Sequence, residues 1–137
     1  MTGAVRHWAN WINGSTALGL AVARLGSAQI SPGPNHLYLA QHCRLHLPGA
    51  SAFTIGDVLI TATTFEQLSA TLPKVVDHEA RHSTQYAVLG VAFWPTYLAG
   101  LVISWLRTGE RGAGHPLERW AGLADGGYRV PSQSRRT

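Results

Sequence analysis

The chain is poor in charge, in cysteine and in internal repetition, and each shortage removes a class of protein. Of its 137 residues 13% are charged and 45% hydrophobic, a thin polar surface that points to a membrane face or a partner. Cys43 is the single cysteine, so no intrachain disulfide forms and no Cys cluster can hold zinc; cysteine usage leans to the cytoplasm. No basic stripe interleaved with aromatics is present, and much of the excess behind the formal charge of +4 sits at Arg129, Arg135 and Arg136. Nucleic acid is therefore not an expected partner. A basic balance beside Trp8, Trp11, Trp94 and Trp105 fits an anionic lipid surface, and a location peripheral to the membrane. The early apolar run Ala17 to Ala23 stops at Arg24, far too short to cross a bilayer.

What is present fits one compact domain over residues 1–130, followed by a disordered basic tail over 131–137. Residues 4–25 read as a helix broken near Asn13-Gly14-Ser15, with Trp8, Trp11, Ile12, Leu18, Val22 and Leu25 at mostly helical spacing. Ser31 to Asn35 reads as a loop. Residues 37–47 alternate as a strand, with Cys43 on its apolar face. Ala52–Ile55 and Val58–Ala62 form two short strands joined by a tight Gly56-Asp57 turn, giving about three antiparallel strands. From Thr64 the pattern becomes helical, and the helix that carries His78 to His82 should start close to Pro73. Pro95 should end or kink the apolar stretch 87–106. Leu117–Asp125 reads as a last helix capped by Gly126-Gly127. The expected class is α+β, a small antiparallel sheet packed on helices.

The chemistry concentrates at His78-Glu79-Ala80-Arg81-His82, of the form H-E-x-x-H. Positions i and i+4 of a helix share a face, so both imidazoles can reach one ion. Glu79, beside His78, can take a proton from a water that the metal activates. Val75 and Val76 before the motif and Val88 and Leu89 after it make the helix a buried one, and buried histidines need partners. A third ligand is required for a catalytic His₂Glu set; Glu118, on a helix of its own, and Glu110 and His115, in a loop, are the downstream candidates.

Here the chain resembles a known family, the gluzincin metallopeptidases of the heat-shock and prenyl-protease type and their reduced relatives, the minigluzincins. In that family a strand carrying Ala-Phe and then Gly precedes a further strand, a helix ending in H-E-x-x-H, and a later helix with E-x-x-A. The matching residues here are Ala52-Phe53-Thr54-Ile55-Gly56, Val58 to Thr61, His78 to His82, and Glu118 with Ala121, and the likeness covers roughly residues 37–125. It implies a zincin-like fold, Zn²⁺ as cofactor, Glu118 as third metal ligand, Glu79 as catalytic base, and the Phe53 strand as a sheet edge along which a peptide or protein substrate adds. The family's Asp four residues after the ligand Glu is Gly122 here, with Asp125 the nearest carboxylate beyond it. Tyr128, Arg129 and His115 are the candidate oxyanion donors.

Two other metal patterns lead nowhere. Glu79-x-x-His82 is half of a di-iron motif, but there is no second E-x-x-H. His42 and His46, four apart in an extended strand, would stand about 13 Å from one another. The stretch 87–106 is long enough to span a membrane, yet Glu118 must return to the ion held by His78 and His82. A hairpin crossing twice needs about 40 apolar residues, and Ser83 to Leu117 supplies 35, the last ten polar or Gly-rich. The expectation is a helix in the core or dipping into one leaflet. Function is thus expected to be zinc-dependent peptide hydrolysis at a membrane surface. The alternatives are a non-catalytic membrane-associated scaffold with a structural or vestigial metal site, and a hydrolase acting on a non-peptide amide or ester.

Overall fold

The computed structural model describes residues 1–130; the tail expected over 131–137 lies outside the described residues. Helices α1 (Gly3–Ile12) and α2 (Ser15–Leu25) lead into strand β1 (Gln29–Pro32), a 3₁₀ turn (Pro34–His36) and β2 (Tyr38–Gln41). The hairpin β3 (Phe53–Ile55) and β4 (Val58–Ile60) follows, then α3 (Phe65–Thr71), α4 (Val75–Leu89), α5 (Phe93–Thr108) and α6 (Pro116–Ala121). The class is α+β, as the patterning indicates.

The sheet departs from the expected three antiparallel strands. It has four, in the order β1-β2-β4-β3, and β2 runs parallel to β4, with Tyr38 opposite Val58 and Ala40 opposite Ile60. The strand expected over 37–47 stops at Gln41, because His42 adopts φ 55° and turns the chain. Beyond it the backbone N–H groups of Cys43 and Arg44 reach Thr61 O and Gly26 O, just past the ends of β4 and β1. Cys43 is buried in the core as expected, although it lies beyond the end of the strand, and Leu45 and Leu47 of the same expected face are exposed. The freed length between β2 and β3 lets the hairpin re-enter with β4 inside and β3 outermost. β1 falls partly within the stretch read as a loop; Pro32 is compatible with it there because an edge strand has N–H groups without partners anyway. The core is built on both faces of the central strands, around Ala40, Val58 and Ile60 with Tyr86 and Phe93 on one side, and around Leu59 with Leu37, Phe65 and Val75 on the other.

α1 is turned the opposite way from a core helix. Its buried residues are Arg6 and Asn10, while Trp8 and Ile12 are 66% and 84% exposed. The polar face is buried because it meets Asp57, itself fully buried in the β3–β4 turn. Arg6 Nε, Asn10 Nδ2 and Ser83 Oγ reach Asp57 Oδ1 at 3.2, 2.9 and 2.8 Å; His7 Nδ1 and Thr16 Oγ1 lie 3.0 and 3.2 Å from Oδ2. One carboxylate thereby ties α1, α2 and α4 to the hairpin. Removing it would leave Arg6 as a buried cation without a counter-ion, which costs about 3–5 kcal/mol. Asp57→Ala is accordingly expected to lower the thermal unfolding midpoint by roughly 10 °C or more, and an unchanged midpoint in a calorimetric scan would contradict this account.

The break in the long apolar helical stretch also lies elsewhere than expected. Gly90, at φ 55° and ψ −130°, ends α4, a conformation open to a residue without Cβ. Pro95 instead sits in the first turn of α5, where a missing N–H breaks no intrahelical bond. α6 is shorter than the helix expected over 117–125, ending at Ala121.

Candidate metal centre

The H-E-x-x-H sequence lies mid-way along α4, which begins two residues after Pro73. One turn apart, His78 and His82 present their Nε2 atoms to each other at 3.1 Å, and Glu118 Oε2, arriving on α6, lies 3.1 Å from each. All three residues are buried. The remaining ring nitrogens fix the tautomers. His78 Nδ1 is 2.8 Å from the carbonyl oxygen of Gly122, an acceptor only, so Nδ1 carries the proton. His82 Nδ1 is 2.8 Å from Gln85 Oε1, and the Gln85 amide is oriented by its own N–H bond to Leu117 O at 2.8 Å. With both protons on Nδ1, two nitrogen lone pairs and a carboxylate oxygen converge on one point.

Such a triangle is repulsive unless something positive occupies it. An ion bonded tetrahedrally at about 2.0–2.1 Å has donor–donor edges of about 3.3 Å, close to the three separations found. The donor set therefore fits a metal ion, with three protein ligands and a fourth position left over. In its absence only protons supply positive charge. Burial would raise the Glu118 carboxyl, but the hydrogen bonds from His78 and His82 outweigh it and hold it well below the ordinary carboxylate range. Burial would lower His82, yet its hydrogen bond to Glu118 and that residue's charge raise it.

Outer contacts hold each of the three side chains. Glu118 Oε1, the oxygen turned away from the histidines, accepts a hydrogen bond from the Tyr97 hydroxyl and lies 3.4 Å from that of Tyr128. The Gly122 carbonyl holds the His78 ring, a backbone group where the family likeness would put an Asp carboxylate on one of the two histidines. Asp125 instead accepts from Arg81 at 3.0 Å, and Arg81 also donates to Ala121 O, clasping the end of α6 to α4. The expected cap role of Gly126-Gly127 is replaced by packing: a Cβ on Gly126 would stand 2.5 Å from the His78 ring, so only glycine lets the chain pass there.

Glu79 lines the same cleft, buried but beside the triangle. Thr54 Oγ1, on β3, donates to its Oε2 at 2.6 Å. Burial pushes the Glu79 carboxyl above its ordinary range, against downward pulls from His82 and the Thr54 hydroxyl. A carboxylate of raised basicity is suited to accepting a proton. The cleft, of about 330 Å³, runs between the edge strand β3 and α5, and its wall includes Phe53, Leu72, Phe93, Trp94, Tyr97 and Tyr128.

The other candidates are placed elsewhere. His115 caps α6: its Nδ1 accepts from Leu117 N–H at 3.2 Å and its Nε2–H donates to Tyr97 O at 2.8 Å. Both ring atoms are engaged and burial lowers its pKa, so it is neither ligand nor free donor but the link that seats α6 against α5. Glu110 pairs with Arg129 at 3.7 Å on the exterior, which removes both from the site. Of the three oxyanion candidates Tyr128 alone lines the cleft. Sequence reasoning missed Tyr97, Thr54 and Gln85. Gln85 stands three residues after His82 on the same helix face and was findable by that spacing; Tyr97 and Thr54 carry no such signal. No family model matches the chain, and no curated protein or solved structure matches it.

Proposed function

We propose that the chain is a zinc-dependent metallopeptidase of the gluzincin type, reduced to one small zincin-like domain, acting on a peptide or protein substrate at a membrane surface. The observation that carries this reading is the 3.1 Å triangle of His78, His82 and Glu118 at a cleft that also holds Glu79. Three protein donors rather than four leave a position open, the mark of a catalytic rather than a closed structural site. When bound, zinc would supply Lewis acidity to water and to the scissile carbonyl. Glu79 would accept the proton released on attack and pass it to the leaving amine. Tyr128 supplies a hydroxyl on the cleft wall for the developing oxyanion, and the outer edge of β3 supplies backbone groups that can align an extended chain. The same site chemistry would serve an amide or ester that is not a peptide; the edge strand favours the peptide.

The deciding experiment compares Glu79→Gln with the parent for bound zinc, by elemental analysis, and for peptide hydrolysis. Zinc kept and cleavage lost supports the proposal; equal cleavage refutes it. A scaffold with a structural ion is the second reading, favoured by the burial of all three ligands, and it requires that neither protein cleaves.

The membrane part of the proposal rests on the outward faces of α1 and α5. No charged residue occurs from Ser83 to Leu106, yet only 17% of the most apolar 18-residue stretch of this helical region is buried. Leu98, Val102, Trp105 and Leu106 are exposed on α5, as Trp8 and Ile12 are on α1. Asn13, at the end of α1, donates to Tyr86 O on α4, near the Gly90 break that precedes α5. Such faces suit shallow insertion among lipid headgroups, with Arg107 at the end of α5 for anionic lipid. The protein should co-sediment with phosphatidylglycerol vesicles, and Val102→Glu combined with Trp105→Glu should weaken this by about tenfold or more. Equal sedimentation of the variant would refute the assignment of this face.

A further inference from the structure

The wall of the cleft has a property that the metal centre does not require. Apart from the metal triad and Glu79, no charged side chain among the described residues lines it. On one side Phe93, Trp94 and Tyr97 project from α5, and they stack on one another: the Phe93 and Tyr97 rings are 5.6 Å apart at 20°, and Trp94 meets Phe93 edge-on at 5.7 Å. The stack is backed by Tyr86, 3.8 Å behind Phe93, so the wall is rigid. On the other side stand Leu72 and Val75. A cavity of about 330 Å³ is at the small end of ligand sites and admits a residue or two of an extended chain.

A charged substrate side chain entering this space would lose its water and meet, among the described residues, no charged partner outside the metal centre and Glu79. An acidic one would in addition face Glu79 and Glu118. A cationic one would stand beside the divalent ion that His78, His82 and Glu118 would hold, whose charge Glu79 and Glu118 would at most balance. Apolar side chains meet no such penalty and gain contact with flat aromatic rings.

We propose that the aromatic wall of α5, facing Leu72, is a specificity subsite, and that the cleft selects an extended peptide segment by an uncharged apolar or aromatic side chain next to the scissile bond. This rests on the metallopeptidase reading, so the test is made on binding rather than on turnover. The probes are N-acetyl aminoacyl hydroxamates, which ligate zinc through the hydroxamate, bearing leucine, phenylalanine, aspartate or lysine side chains, with acetohydroxamate as reference. Their dissociation constants are measured by calorimetry on the zinc-loaded Glu79→Gln protein. The leucyl and phenylalanyl probes should bind about thirtyfold tighter than the aspartyl and lysyl ones, the ratio expected from burying one large apolar side chain. Trp94→Ala should erase most of the phenylalanyl advantage. Should that variant fail to fold, Leu72→Arg, on the opposite and half-exposed wall, should instead bring the aspartyl probe to parity with the leucyl one. Zinc-loaded protein that binds acetohydroxamate but ranks the four side chains equally overturns the subsite and leaves the metal centre standing. Protein that takes up no zinc overturns both.

Discussion

Glu79→Gln is expected to keep its metal and to lose peptide hydrolysis by about a thousandfold, within the range that a positioned general base contributes. The substitution changes little in shape. Glutamine can still accept from Thr54 through its amide oxygen, as Glu79 Oε2 does at 2.6 Å, and the ligands His78, His82 and Glu118 are untouched. What disappears is the lone pair whose basicity burial has raised. Elemental analysis and a fluorogenic peptide assay on the same preparation separate the outcomes: zinc at the parent level with residual cleavage near background is the expected pair. Loss of zinc together with activity would mean that Glu79 supports the ligand geometry rather than the chemistry.

Glu118→Ala is expected to do the reverse and empty the site. The substitution removes the oxygen that stands 3.1 Å from both imidazoles and leaves two neutral nitrogen donors for a divalent ion. The fall in zinc affinity, measured by chelator competition, should go well beyond the roughly 10- to 100-fold that loss of an outer hydrogen-bond partner costs. The fold should survive, because α6 is seated by His115 against Tyr97 and by Arg81 against Ala121, contacts that do not involve the carboxylate. Zinc bound with parental affinity in this variant would remove Glu118 from the ligand set and with it the argument for an open catalytic site.

How much of this was legible beforehand differs by element. The shared face of His78 and His82 on α4 was readable because helical periodicity is local: four residues are one turn wherever the helix ends up. The hairpin was readable for the same reason, since Gly56-Asp57 between two apolar runs is a turn in its own right. Longer-range features were not. The parallel pairing of β2 with β4 depends on where the chain goes between Gln41 and Phe53, and alternation of side chains looks the same in parallel and antiparallel strands. The length of the 37–47 strand was overestimated because the alternation persists past His42, whose left-handed backbone no pattern announces. α1 misleads most directly. Its apolar stripe resembles a core face, while its polar residues Arg6 and Asn10 are the buried ones, since a buried Asp57 awaits them from 47 to 51 residues away.

The amino-acid sequence alone marked the candidates for the proposed chemistry: two histidines a turn apart, the glutamate between them, and a later glutamate on its own helix. Tertiary structure decided what surrounds them. It placed Glu118, and not Glu110 or His115, beside the two histidines, set the carbonyl of Gly122 against His78, brought Tyr97 and Thr54 to the two glutamates, and made β3 the outermost strand beside the cleft. The reason is physical. Ligand identity and spacing within a helix are properties of neighbouring residues, whereas a hydrogen bond between groups some twenty to forty positions apart exists only once packing has brought them within about 3 Å.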